Sequence, residues 1–208
     1  MALPPKTVER LSQYRRILYN NLNKGKDNIY SHELASQLQL TPVQVRRDIM
    51  LIGYSGTQRK GYLVEDLITR IGKVLDGNQK LNTATIGIGH LGKAIITYFN
   101  GKRTKLDIAA AFDVDENKIN RVIADVKCYH INELCNKIKE LNISIAILTL
   151  SPEHAQEITD KLVVCGIKGI LNFTSVPLNI PDNVNIYVED YDMITSLEKV
   201  AYFVNHND

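Results

Sequence analysis

The segment Gly87-Ile88-Gly89-His90-Leu91-Gly92 constrains this chain more than any other. It follows Thr83-Ala84-Thr85-Ile86-Gly87, which reads as a short strand, and opens Leu91 to Phe99, which reads as a helix. In that setting each glycine of a G-x-G-x-x-G spacing has its own task. Gly87 allows a tight turn, Gly89 lets backbone approach a pyrophosphate without a Cβ in the way, and Gly92 lets the helix lie against the strand. The phosphates would sit over the helix N-terminus, where free amides and the helix dipole favour anions. The confirming acid should end the next strand. Leu106–Phe112 reads as that strand, and Asp113 ends it 21 residues after Gly92. Its carboxylate suits adenosine ribose hydroxyls and repels a 2′-phosphate, so NAD is expected rather than NADP.

The remainder of the second half keeps a strand–helix rhythm. Cys128-Tyr129 fits a short strand, Asn132–Leu141 a helix, and Ser144–Leu150 an apolar strand covered on both faces. A helix runs from Pro152 to Cys165 and stops at Gly166, and Lys168–Asn172 and Asn185–Val188 fit two more strands. The α/β class expected is a Rossmann-like parallel sheet with helices on both faces. The last helix, Met193 to Val204, spreads apolar residues over roughly half its circumference. Periodicity alone favours docking on its own domain, whereas the width of the apolar face suits a partner surface.

The first half is helical and cationic. Residues 1–80 carry 13 Lys/Arg against 7 Asp/Glu, a net of +6, and residues 81–208 carry 12 against 16, a net of −4. A basic head on a mildly acidic body suggests a polyanion partner for the head. Val8, Leu11, Leu18 and Leu22 lie at helical spacing with Tyr14 and Ile17 beside them. Ser31 is expected to cap a short helix to Leu38 without a complete capping box. Thr41-Pro42 is expected to start another that runs to Ile52 and stops at Gly53. Two short helices joined by a tight turn, the second cationic, make a helix-turn-helix pattern. Val45, Ile49 and Ile52 would face the core, with Gln44, Arg46 and Arg47 on or near the other side. Gly53–Tyr62 reads as a β-ribbon wing, and Val64–Leu75 as a further amphipathic helix. Asp76-Gly77-Asn78 then marks a domain boundary. Arg46 and Arg47 could reach base edges or phosphates in a major groove, and Arg59 and Lys60 would contact phosphates. For Arg10, Arg15 and Arg16 DNA contact, solvated charge and interdomain pairing remain open. Solvated charge is the first reading for Arg15, an interface role for Arg16.

Other classes fit poorly. The chain of 208 residues has no apolar run near the ~20 residues that span a bilayer, and its start lacks a signal-peptide core. Three cysteines, Cys128, Cys135 and Cys165, without a C-x-x-C pair argue against a disulfide framework and a zinc site, and point to a reducing cytoplasm. Cys165 reads as buried packing. His130 and His154 lack an orienting carboxylate at a telling spacing and read as surface or capping residues. An enzyme is therefore not expected, because a dehydrogenase needs an acid or base beside its nicotinamide. The alternatives are a small NAD-dependent oxidoreductase and a CoA- or nucleotide-binding Rossmann protein with a helical arm.

With these segments assembled, the whole chain resembles the Rex family of redox-sensing transcriptional repressors. Leu40–Asp48, Gly87–Gly92, Phe112-Asp113-Val114-Asp115, Ala155-Gln156-Glu157 and Gly166–Phe173 carry the resemblance. It implies a winged helix DNA-binding domain over 1–79, a Rossmann NAD(H)-binding domain over 80–192, and a dimerisation helix over 193–208 exchanged between the subunits of a homodimer. It further implies that NADH releases double-stranded operator DNA while NAD⁺ permits binding. Gly87, Ile88, Gly89, His90, Leu91, Gly92, Asp113, Thr149 and Met193 would meet the cofactor. Ser31, Thr41, Gln44, Arg46, Arg47, Arg59 and Lys60 would face DNA. Arg16, Tyr98 and Asp192 would form a polar switch. The chain departs from the family at Met50-Leu51-Ile52-Gly53, at the wing residues Gln58-Arg59-Lys60-Gly61, and at His90.

Overall fold

The computed structural model describes residues 3–57, 59–77, 79–99 and 105–206. Gln58 of the expected wing and Asn78 of the expected boundary turn lie outside the described residues. Two compact units form, residues 1–79 and 80–208.

The first unit holds helices α1 (Pro5–Leu22), α2 (Ser31–Leu38), α3 (Pro42–Leu51) and α4 (Val64–Leu75). Two short strands, β1 (Asn28–Ile29) and β2 (Tyr62–Leu63), pair antiparallel. The buried stripe of α1 is Thr7, Leu11, Tyr14 and Leu18, alternating four- and three-residue steps. Val8, one position off that stripe, is exposed rather than part of the core. Thr41 caps α3 as its sequence predicts, its Oγ1 accepting from the Gln44 amide at 3.2 Å. Ser31 does not cap α2. Ile29 is pinned in β1, so Tyr30 stays extended and takes the cap position, and its amide donates to the Glu33 carboxylate at 2.8 Å. The wing is less of a ribbon than expected. One bridge joins Thr57 to Gly61, and the following residues pair with β1.

A buried carboxylate ties α1 to α3. Asp48 sits among Val45 and Ile49 on the buried side of α3, where the apolar pattern gives no warning of it. Arg10 donates to it through Nε at 2.6 Å and Nη2 at 2.8 Å, the Tyr14 hydroxyl at 2.8 Å, and Gln44 Nε2 at 2.9 Å. Burial pushes the Asp48 carboxyl up, yet the hydrogen bonds from Arg10, Tyr14 and Gln44 outweigh it and hold the group below the usual carboxylate range. Arg10 is thus a structural ion-pair residue. Arg15 is one too, pairing with Asp76 at 2.5 Å instead of being solvated.

The second unit is a seven-stranded sheet in the order β5-β6-β4-β3-β7-β8-β9. Its strands are β3 (Leu81–Ile86), β4 (Leu106–Asp113), β5 (Val122–Ile123), β6 (Val126–His130), β7 (Ile143–Leu148), β8 (Gly169–Asn172) and β9 (Tyr187–Asp190). Every pairing is parallel except the β5–β6 hairpin, which the sequence reading lacks. Strand order reverses between β4 and β7 on either side of β3, the dinucleotide-fold arrangement with its crevice at the carboxyl ends of β3 and β7. Helices α5 (His90–Phe99), α6 (Leu134–Glu140) and α7 (Ala155–Cys165) cover the sheet. Both α6 and α7 begin with a 3-10 turn, at Ile131–Glu133 and Pro152–His154. The expected α/β class, helix-turn-helix head and Rossmann-like body are what the chain forms.

One expectation is corrected here. Cys135 and Cys165 are joined by a disulfide, with Cα atoms 4.9 Å apart across 30 residues of sequence. Helices α6 and α7 pack side by side and bring together thiols that spacing alone cannot pair. The final helix α8 (Met193–Asn205) does not dock on its own domain, since none of its residues is buried and Leu197 is 70% exposed. Among the described residues no helix is long and apolar enough to cross a membrane.

The carboxylate at Asp48 makes a prediction. Its folded-state pKa is depressed, so its stabilisation is present above pH ~4 and lost as pH falls through the lowered value. Urea unfolding across pH 2–6 should show Asp48→Asn flattening that acid limb. At pH 7 Arg10→Ala should cost about 3 kcal/mol, because it strips a buried charge of its partner.

Candidate dinucleotide cleft and nucleic-acid face

The glycine turn is built by close contacts that fix each glycine. Gly87 has φ +88°, and a Cβ there would lie 2.7 Å from the Leu150 Cα. A Cβ on Gly92 would strike the Gly87 carbonyl, which brings α5 tight against the end of β3. A Cβ on Gly89 meets nothing within 4 Å and points to open space. The turn is held from three sides. The Gly87 amide donates to the Phe112 carbonyl at 2.8 Å, and the Ile88 amide to Asp113 Oδ2 at 2.7 Å. The Thr149 hydroxyl, just past β7, donates to the Gly87 carbonyl at 2.6 Å. α5 begins at His90, so the turn presents a helix N-terminus.

Against this turn lies a cavity of about 410 Å³ at the carboxyl ends of β3, β4 and β7. Gly87, Ile88, Gly89, Asp113 and Thr149 line it, as do Ser151 and His154 ahead of α7, Glu157 and Lys161 on α7, and Ile131. His90, Leu91, Gly92 and Met193 are not in that lining. His90 and Leu91 start α5, Gly92 braces the turn, and Met193 is exposed at the start of α8. The α7 residues escaped the sequence reading. A signal was available, because a crevice at the sheet's reversal point must be walled by the loop after β7. His130 caps a 3-10 turn, its Nδ1 accepting from the Asn132 amide at 3.1 Å.

Asp113 is the charged centre of the cleft. It is buried, and its Oδ1 accepts from the Val114 and Asp115 amides at 2.8 and 2.9 Å. Oδ2 accepts from Ile88 and from the Lys118 ammonium at 3.0 Å. Burial raises its pKa, but the amides of Asp115 and Ile88 and the Lys118 ammonium more than offset this, so the group stays ionised below the usual carboxylate range. A carboxylate offers about four acceptor positions, and all four are taken. The three amides are fixed, so only the half-buried, flexible Lys118 can yield its position to a ribose hydroxyl. Asp115, also against Lys118 at 3.5 Å, makes the corner net negative, which disfavours a ribose phosphate.

In the first unit α3 carries an exposed cationic face. Arg46 and Arg47 are exposed with Val43, Met50 and Leu51 around a shallow concavity. Arg46 Nη1 donates to Ser31 Oγ at 3.2 Å, so α2 and α3 share this face. Gln44 is turned toward Asp48, and Thr41 is occupied as the cap. The Tyr30 hydroxyl donates to the Arg59 carbonyl at 2.8 Å, anchoring the wing turn that exposes Arg59 and Lys60. Arg16 is exposed on α1 and Tyr98 is exposed near the end of α5. Asp192 caps α8, accepting from the Ile194 and Thr195 amides at 2.9 and 3.0 Å.

Comparison with known proteins accounts for both units. Residues 2–49 match the family described as "Putative DNA-binding protein N-terminus", and residues 78–176 match "CoA binding domain". The redox-sensing transcriptional repressor Rex of Exiguobacterium sibiricum is 36% identical over 98% of this chain and 92% of its own length. The crystal structure of RSP in complex with β-NAD⁺ and operator DNA has a TM-score of 0.90 at 31% identity, covering 100% of this chain and 94% of RSP. RSP in complex with β-NADH has a TM-score of 0.86 at 30% identity, covering 100% and 96%. These relatives are named as repressors rather than enzymes. The chain belongs to the Rex family of redox-sensing transcriptional repressors.

Proposed function

We propose that this protein converts the cellular NADH/NAD⁺ ratio into occupancy of double-stranded operator DNA, bound with NAD⁺ and released by NADH, as a cytoplasmic homodimer. The observation that carries this reading is the glycine turn, open at Gly89, over a cavity at the reversal point of a parallel sheet. The pyrophosphate would lie against Gly89 and the start of α5. The adenosine ribose would take the Asp113 Oδ2 position that Lys118 holds. The same two carboxylates weigh against the 2′-phosphate of NADP and the 3′-phosphate of coenzyme A.

The exposed arginines of α3 would enter a major groove, while Arg59 and Lys60 hold phosphates and fix register. The bare apolar face of α8 fits exchange with a second subunit, with Met193 at its start reaching the partner's nicotinamide. NAD⁺ carries a charged planar ring and NADH a neutral one. A ligand shifts two conformations only as far as its affinities for them differ. Arg16, Tyr98 and the Asp192 cap are the polar groups we assign to that two-state element. Met50 and Leu51 place apolar side chains where the family usually has Ser and Tyr, and so bear on the operator sequence.

Gly89→Ala tests the cleft directly. The added methyl meets nothing in the free chain, so the melting temperature should hold within about a degree, while NADH affinity should fall at least ~10-fold. In a mobility-shift titration on duplex DNA, NADH should weaken binding far more than NAD⁺, and equal effects would reject redox sensing. Leu197→Asp should turn a dimer into a monomer by light scattering, and an unaltered mass would remove α8 from the interface.

A further inference from the structure

Cys135 and Cys165 occupy a telling place. Cys135 lies one helical turn beyond Ile131, and Cys165 one turn beyond Lys161, and both Ile131 and Lys161 line the nucleotide cavity. The bond between them therefore joins two elements whose neighbouring turns wall that cavity. Cys165 is buried, whereas Cys135 is partly exposed at the surface end of the pair. The third cysteine differs from both. Cys128 is buried in β6 with its thiol pushed up to about 11 by burial and by the Asp113 charge, so it stays protonated. In a reducing compartment a disulfide is transient and forms only when an oxidant supplies it.

We infer that Cys135 and Cys165 form a reversible thiol–disulfide site, oxidised by a hydroperoxide, that clamps α6 to α7 and alters nucleotide binding in the adjoining cleft. The coupling rests on the dinucleotide reading above, whereas the thiol chemistry does not. The Cys135 thiolate attacks a peroxide oxygen, forming an S–O bond as the O–O bond breaks, and hydroxide leaves and takes a proton to become water. The Cys165 thiolate then attacks the sulfenic sulfur. An S–S bond forms, the S–O bond breaks, and a second hydroxide leaves as water. Two thiols give two electrons to one hydrogen peroxide, and a dithiol of the thioredoxin type returns them. The oxidised pair fixes the α6–α7 spacing that the reduced pair leaves to packing. By linkage, any change this makes in NADH affinity is matched by an equal effect of NADH on oxidation.

The full chain is reduced, desalted, treated with stoichiometric hydrogen peroxide, alkylated and mapped by mass spectrometry. The expected product is an intramolecular Cys135–Cys165 peptide pair, with Cys128 alkylated. Cys165→Ser should instead leave a Cys135 sulfenic acid that dimedone traps. The oxidised protein should melt about 5–10 °C above the reduced form, as closing a 30-residue loop predicts. Its NADH dissociation constant should differ at least ~3-fold from that of the reduced form, and Cys135→Ser should abolish this peroxide effect. NADH binding by the reduced protein tests the dinucleotide reading separately. Three alkylatable thiols after peroxide, cross-links between chains, or equal NADH affinities of the two forms would each overturn the inference.

Discussion

The Asp113 carboxylate at the end of β4 holds the Ile88 amide at 2.7 Å, and through it the first residues of the glycine turn. The placing of that turn beside the cavity depends on this bond. The turn can pass so close to Leu150 only because Gly87 lacks a Cβ, and it stays there because Thr149 and Phe112 hold it from two neighbouring strands. The turn is thereby held by the protein's own contacts. On the proposed dinucleotide reading, the same carboxylate would accept a ribose and repel a ribose phosphate.

The head repeats this construction. Asp48 is buried on the back of α3 and receives Arg10, Tyr14 and Gln44. A charge there contributes less through net energy than through geometry, because Arg10 and Tyr14 lie on α1 and set where α3 can sit. The arginines at 46 and 47 project from the opposite side of a helix whose rotation is thereby fixed. In both units a buried carboxylate positions an element whose exposed groups would meet an anion.

Much of this was legible in the chain. The glycine spacing, the acid after β4 and the alternating strands specify the sheet and its crevice, and the Thr41-Pro42 start and cationic α3 specify the head. What escaped was set by tertiary contact. Asp48 follows two arginines on a cationic helix, and only the arrival of α1 shows that it is buried. Ser31 reads as a cap until β1 pins Ile29 and moves the helix start to Tyr30. The cysteines are 30 residues apart, and no local pattern predicts that α6 and α7 bring them together. The α7 wall of the cleft was hidden for a different reason. Ser151, His154, Glu157 and Lys161 are ordinary polar residues in and before a helix, and only the topology brings them to the cavity.

The uncovered apolar face of α8 has a consequence for how the molecule comes into being. A helix of 13 residues is marginal in water by itself, and this one buries nothing within its own chain. Its order must come from whatever covers it. If that cover is a second copy, the last step of folding is bimolecular, and thermal stability rises with protein concentration. At very low copy number newly made chains would wait with sticky tails, dependent on chaperones, so the cell's supply of finished repressor would scale more steeply than the rate of its synthesis.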